Sequence, residues 1–282
     1  MPFHLQQLEF MMQLSNTRAD WLNPFFLFLN YFDSVYFIFF LIPLVWFGIS
    51  YHWGLRLFYW ITFNFFINYS LKLLIHWPRP TQDLPEIGLF QPKSYGFPSF
   101  GAQTCMFLGL MLMYQLRTPV AWTIGVIYIL LISFSRLYLG VHYPIDILGG
   151  WVIAIGLFTL FVFIENPLEK WLKSKKLSIH LTLSVVIPLS VSLIAKNQEF
   201  SSIMQSVMGV GIGTYFSLKH HLFLKDPKNK KEAALRVLIG LVTIALVAIV
   251  WPFQVFLKLF VVGFFMSFAV SPICKKLLFR SP

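Results

Sequence analysis

From residue 34 onward, apolar residues fill long stretches of this chain, separated by short polar or Pro-rich breaks. A helix of about 20 apolar residues crosses a ~30 Å hydrocarbon core. The pattern predicts nine spans, near 34–50, 55–76, 99–116, 119–135, 146–165, 178–195, 203–218, 234–251 and 254–274. Pro43 should kink the first, and Glu165-Asn166-Pro167 should end the fifth. The seventh is short and holds Gly209, Gly211 and Gly213. Residues 1–33 mix polar and apolar positions, and Asn23-Pro24 followed by Phe25–Phe32 reads as an interfacial segment. The expected architecture is therefore an all-α, multi-pass membrane bundle. It divides into an N-terminal segment (1–33), a core (34–165) and a C-terminal extension of about four helices (166–282).

Polar positions inside the spans are few, and one set is regular. Asn64, Asn68 and Lys72 recur every four residues and share one helix face. Buried polar groups in membrane helices either bind a ligand or hydrogen-bond a neighbouring helix, and for the two Asn residues both readings stand. Downstream lies a loop rich in Pro and turn formers, 77–98. A second loop, SRLYLGVHYPID (135–146), holds Arg136, His142 and Asp146 between two apolar segments. A guanidinium grips oxyanions, an imidazole can attack phosphorus, and a carboxylate can fix the imidazole tautomer.

Composition agrees with the pattern. Hydrophobic residues make up 57% of the 282 and charged residues 12%, about half the ~25% that soluble domains carry. Cys105 and Cys274 lie in or at the end of apolar runs and imply neither a disulfide framework nor a thiolate metal site. No basic leader with a small-residue cleavage site opens the chain. The net charge of +11 is unevenly placed: fifteen of the 22 Lys and Arg fall on one side of the nine-span topology and seven on the other. The runs KSKK (173–176) and KDPKNKK (225–231) then act as topology determinants rather than a nucleic-acid footprint. This arrangement puts the 77–98 and 136–145 loops on the periplasmic, exterior or lumenal side.

Three motifs meet on that predicted face: Lys72 to Arg79-Pro80 (KLLIHWPRP), Tyr95–Gln103 (YGFPSFGAQ) and Ser135–Asp146. Together they resemble the type-2 phosphatidic acid phosphatase superfamily, whose pattern is K-x6-RP, PSGH and SR-x5-H-x3-D. The resemblance covers residues from about 55 to 165. It implies that His142 takes the phosphoryl group as a phosphohistidine and that Asp146 orients its ring. Lys72, Arg79 and Arg136 would bind the phosphate oxygens, with Ser99 and the amides opening the third span adding hydrogen bonds. Such a cage draws its positive charge from the protein, so no metal or other cofactor is expected. The implied partner is a phosphorylated lipid in the membrane.

The second motif departs from the family. Gly101 stands where the family's His protonates the leaving oxygen, and Phe100 replaces a Gly. A positioned proton donor contributes roughly 10²–10⁴-fold. A phosphate leaving group, whose conjugate acid has a pKa of about 6, needs that help less than an alkoxide does. The expectation is hence a lipid diphosphatase, with polyprenyl diphosphates as the substrate class. The alternative is a catalytically impaired relative that binds or transports a phosphorylated lipid. His76, Tyr95 and Tyr143 are candidate substitute acids, and Asn68 and Gln103 are candidates for a supporting role behind the phosphate ligands.

Overall fold

The computed structural model describes residues 3–195, 198–250 and 255–278. Among these, every regular element is helical. Lys196 and Arg280, counted in the charge asymmetry, the last residue of the eighth expected span and the first of the ninth lie outside the described residues.

The helices are α1 (Phe3–Asn16), α2 (Asn23–Leu29), α3 (Val35–Gly48), α4 (Tyr51–Ile75), α5 (Pro80–Asp83), α6 (Phe100–Leu116) and α7 (Pro119–Tyr138). They continue with α8 (Pro144–Lys173), α9 (Leu177–Ala195), α10 (Gln198–Lys219), α11 (Lys230–Val250), α12 (Val255–Phe268) and α13 (Val270–Leu278). Short 3-10 turns at Asp20–Leu22, Asn30–Asp33 and Pro85–Ile87 bridge the breaks.

Of the nine expected spans, α7, α8, α9 and α11 are long and apolar enough to cross a bilayer alone. Two bent pairs could each serve as one more: 20–33 with 36–48, and 257–268 with 270–278. The count of nine is therefore not reproduced by length and hydropathy among the described residues. The polar positions of α4 and α10 dilute their hydropathy, and α6 has only 17 residues. The ninth expected span is two helices that meet at a 41° bend. Nor does α8 stop at Pro167, as its sequence suggested, because it runs on to Lys173. Proline removes one intrahelical hydrogen bond, and α8 accommodates it internally. Beyond it, Glu169 bonds Lys173 one turn on at 2.6 Å and also pairs with Arg56.

The chain groups into two compact units. The first comprises residues 1–38 and 63–165, and the second residues 39–62 and 166–282. Residues 39–62 thus group with the C-terminal helices rather than with the segment that follows them.

In the first unit α6 packs on α7 through small residues. A Cβ on Gly109 would lie 3.2 Å from the Gly125 carbonyl oxygen and 2.7 Å from Ile129 Cδ1, so the two helices touch where side chains are absent. One buried cluster gathers Phe26 and Leu29 from α2, Cys105 from α6, and Ile132, Tyr138, Leu139 and Val141 from α7 and the turn after it. A second joins Met11, Ile87 and Tyr143. The N-terminal segment is therefore part of the packed core of this unit. Tyr138 Oη donates to Asn23 Oδ1 at 2.9 Å, and Ile145 N donates to Gln7 Oε1 at 3.0 Å.

In the second unit, α10 and α12 approach closely at Gly209, Gly213 and Gly263. Tyr51 Oη and Ser217 Oγ both donate to the Ser267 carbonyl, at 3.0 and 2.8 Å. The glycines that made α10 look weak as a span are what let it pack.

Candidate active site

The site lies within the first unit and starts from how α7 ends. Gly140 adopts φ +74°, where a Cβ would collide with the Ile87 carbonyl. Its N–H bonds Leu137 O at 2.9 Å, and Val141 N bonds Arg136 O at 3.2 Å, closing the helix in a left-handed glycine cap. Three residues after Val141, Pro144 opens α8 with its fixed φ. Asp146, in the first turn, reaches back to accept Tyr143 N at 2.9 Å, half of a capping box. Thus one helix end and one helix start hold His142 between Arg136 and Asp146.

The imidazole has two different neighbours. Nδ1 lies 3.2 Å from Asp146 Oδ2, and Nε2 lies 3.0 Å from Arg79 Nη1. A carboxylate accepts and a guanidinium only donates. The proton therefore sits on Nδ1, and Nε2 presents its lone pair. Burial holds the His142 pKa well below the ordinary imidazole value, and Arg79, Lys72 and Arg136 push it the same way. The ring is neutral at pH 7, the form a nucleophile requires.

The cations are fixed by main-chain oxygens. Lys72 Nζ donates to the carbonyls of Tyr95 and Gly96 at 2.6 and 3.0 Å. Arg79 Nε donates to Ser94 O at 2.6 Å, Nη1 to Val141 O at 2.7 Å, and Nη2 to Ser94 Oγ at 2.9 Å. Burial brings the Arg79 guanidinium down to about 10, with Asp146 and Asp33 opposing the shift, so it stays charged. Each cation keeps a further N–H beyond these bonds. Lys72, Arg79, Arg136 and His142 are each no more than 4% exposed.

Ser99 caps α6, its Oγ accepting Ala102 N at 3.4 Å, while its own N–H donates to Asp146 O at 3.0 Å. That second bond ties the α6 N-terminus to the first turn of α8. The hydroxyl hydrogen of Ser99 is not spent by capping.

Asn68 and Gln103 lie behind this front as a hydrogen-bonded bridge. Asn68 Nδ2 donates to Gln103 Oε1 at 2.8 Å and to Pro98 O at 3.3 Å. Gln103 Nε2 donates to Asn64 Oδ1 at 2.9 Å, and Asn64 Nδ2 to Thr104 Oγ1 at 3.0 Å. The interhelical reading of the two Asn residues is the one the geometry supports.

The candidate substitute acids have these surroundings. His76 is exposed and meets Tyr95 edge-on, with ring centroids 4.6 Å apart. Tyr143 donates its hydroxyl to Asp83 Oδ2 at 2.6 Å.

What the sequence motifs missed is Asp33, in the 3-10 turn Asn30–Asp33. Its Oδ2 accepts Arg136 Nη1 at 2.8 Å, and Asn30 Oδ1 accepts the same nitrogen at 2.6 Å. A Cβ on Gly101 would fall within the Asp33 carboxyl group, 2.5 Å from Cγ and 2.7 Å from Oδ1. The one available signal was a carboxylate directly after the apolar run Phe25–Phe32, just ahead of the first expected span.

Several known proteins are similar to parts of this chain. The chain is 32% identical over 96 residues to an undecaprenyl-diphosphatase of Sulfolobus acidocaldarius, covering 33% of this chain and 46% of that protein. It is also 32% identical over 96 residues to an undecaprenyl-diphosphatase of Bacillus subtilis, covering 34% and 49%. Sphingosine-1-phosphate phosphatase 2 of Mus musculus is 30% identical over 104 residues, covering 34% and 29%. The matches thus span less than half the length of these relatives. A transmembrane PAP2-type phosphatidylglycerolphosphate phosphatase from Bacillus subtilis shares the fold, with a TM-score of 0.50 at 22% identity, over 58% of this chain and 86% of that one. With its apolar helices, the chain is an integral membrane protein. Residues 53–170 match the family model of the PAP2 superfamily, and the three motifs of the site fall within that stretch.

Proposed function

We propose that this protein is a membrane lipid phosphatase that removes a terminal phosphate from a lipid diphosphate through a phosphohistidine on His142. The observation that carries the reading is the division of labour on the imidazole: Asp146 holds Nδ1, and Nε2 faces the cation Arg79. Nε2 attacks phosphorus while Lys72, Arg79 and Arg136 stabilise the charge on the non-bridging oxygens. Water then releases phosphate from the ring and regenerates the imidazole.

The diphosphate preference rests on the names of two relatives, both undecaprenyl-diphosphatases. The positive-inside asymmetry favours a site on the non-cytoplasmic face.

Purified protein in detergent should release inorganic phosphate from a polyprenyl diphosphate and give a trappable phosphorylated His142. His142→Ala should abolish both. Binding of the lipid with no phosphate release and no phosphohistidine would instead favour the second reading, a binding or transport relative, which the absence of a side chain at Gly101 supports.

A further inference from the structure

Resting on the phosphohistidine reading above, we propose that Asp33 is the proton-transfer residue of this site, supplied by the N-terminal segment where α6 offers only Gly101. Four observations converge on it. First, the Asp33 carboxyl group fills the space into which a side chain at Gly101 would project. The superfamily pattern puts its proton-donating His at that position, so one volume is filled from a different part of the chain. Second, Asp33 shares Arg136, one of the proposed phosphate ligands, with Oδ2 at 2.8 Å from Nη1. A phosphate on Arg136 would therefore lie beside the carboxyl group. Third, Oδ1 is buried and has no hydrogen-bond partner among the described residues. A buried oxygen without a partner is costly for structure alone, and it is the oxygen that can carry a proton toward a ligand. Fourth, Asp33 interacts electrostatically with Lys72 and Arg79 as well as Arg136, so it belongs to the same charged cluster.

The proton balance closes. Asp33 and a bound phosphate share one guanidinium, and anions that share a site retain a proton between them. As the His142 Nε2 lone pair forms the N–P bond, the P–O bond to the lipid portion breaks with its electron pair on that oxygen. The Asp33 proton goes to this oxygen. In the second half, water attacks phosphorus, its proton returns to the Asp33 carboxylate, and the N–P bond breaks with its pair on Nε2. The net reaction is hydrolysis.

Leaving-group dependence separates proton transfer from support. Asp33→Asn keeps an oxygen to accept from Arg136 but cannot donate a carboxylic proton. Wild type and variant are compared on a polyprenyl diphosphate and on the monophosphate of the same chain length, with thermal stability recorded for both. The poor alkoxide leaving group depends on the acid far more than the phosphate does. The ratio of diphosphate to monophosphate turnover should therefore rise at least tenfold in Asp33→Asn, while the variant still phosphorylates His142 from the diphosphate. An equal loss on both lipids, or none, would overturn the role of Asp33, and so would a gain in activity, which would mark the carboxylate as an inhibitor seated on Arg136. No release by wild type from either lipid would instead overturn the underlying function.

A second variant tests the shared volume. Gly101→His alone should lose activity because imidazole and carboxyl compete for one space. Asp33→Gly combined with Gly101→His should recover monophosphate turnover above that of Asp33→Gly. Full activity in Gly101→His alone would contradict the placement.

Discussion

Asp146 touches both His142 and the main chain that carries it with the same oxygen. Oδ2 lies 3.2 Å from Nδ1 and accepts Tyr143 N at 2.9 Å. Any change at this carboxylate therefore acts on the tautomer and on the start of α8 together. In Asp146→Asn, an amide N–H directed at Nδ1 would favour the tautomer with its proton on Nε2, removing the nucleophilic lone pair. Turnover should fall by roughly 10²–10⁴-fold, with little change in KM, because the phosphate ligands are untouched. The pH response follows from the lowered pKa of His142. On the proposed mechanism the neutral ring is the working form, so activity should be retained down through the ordinary imidazole range and lost as pH falls below it. The acid limb of kcat/KM, corrected for ionisation of the substrate, should lie below pH 6.5. A limb at or above that value would mean that burial and the neighbouring cations do not lower the pKa of the ring.

Between elements, the polar seam joining α4 to α6 holds the second motif against the first. Asn64 accepts Gln103 Nε2 through both its carbonyl and its side chain, at 3.0 and 2.9 Å. Asn64→Leu should leave the Thr104 and Gln103 groups short of partners, at about 1–3 kcal/mol. A lowered melting temperature in detergent, with KM rising through displacement of the 95–99 loop, is the expected result. How much of this was readable beforehand depends on the distance over which each signal acts. The four-residue spacing of Asn64, Asn68 and Lys72 is local, and so are the spacings from Lys72 to Arg79 and from Arg136 to Asp146. Those residues do converge. The pairing of Arg136 with Asp33 joins positions 103 apart, and no spacing rule encodes it. Helix ends were missed for a related reason. Pro167 is a stop signal on its own, but α8 carries its helix through it and binds Glu169 to Lys173 beyond it.

For the molecule as a whole, the partition of the chain matters more than the number of helices. Residues 1–38 are built into the unit that holds His142. They supply Gln7 to the start of α8, Asn23 to Tyr138, and Asn30 and Asp33 to Arg136. Deleting residues 1–33 should therefore abolish phosphate release even where the remaining helices still insert into membranes. Full activity of the shortened protein would refute the part assigned to this segment. The stretch that matches the superfamily starts only at residue 53. A gene trimmed to its recognisable portion would consequently encode His142 and Arg136 without Asn30 and Asp33, the side chains that hold the Arg136 guanidinium from outside it.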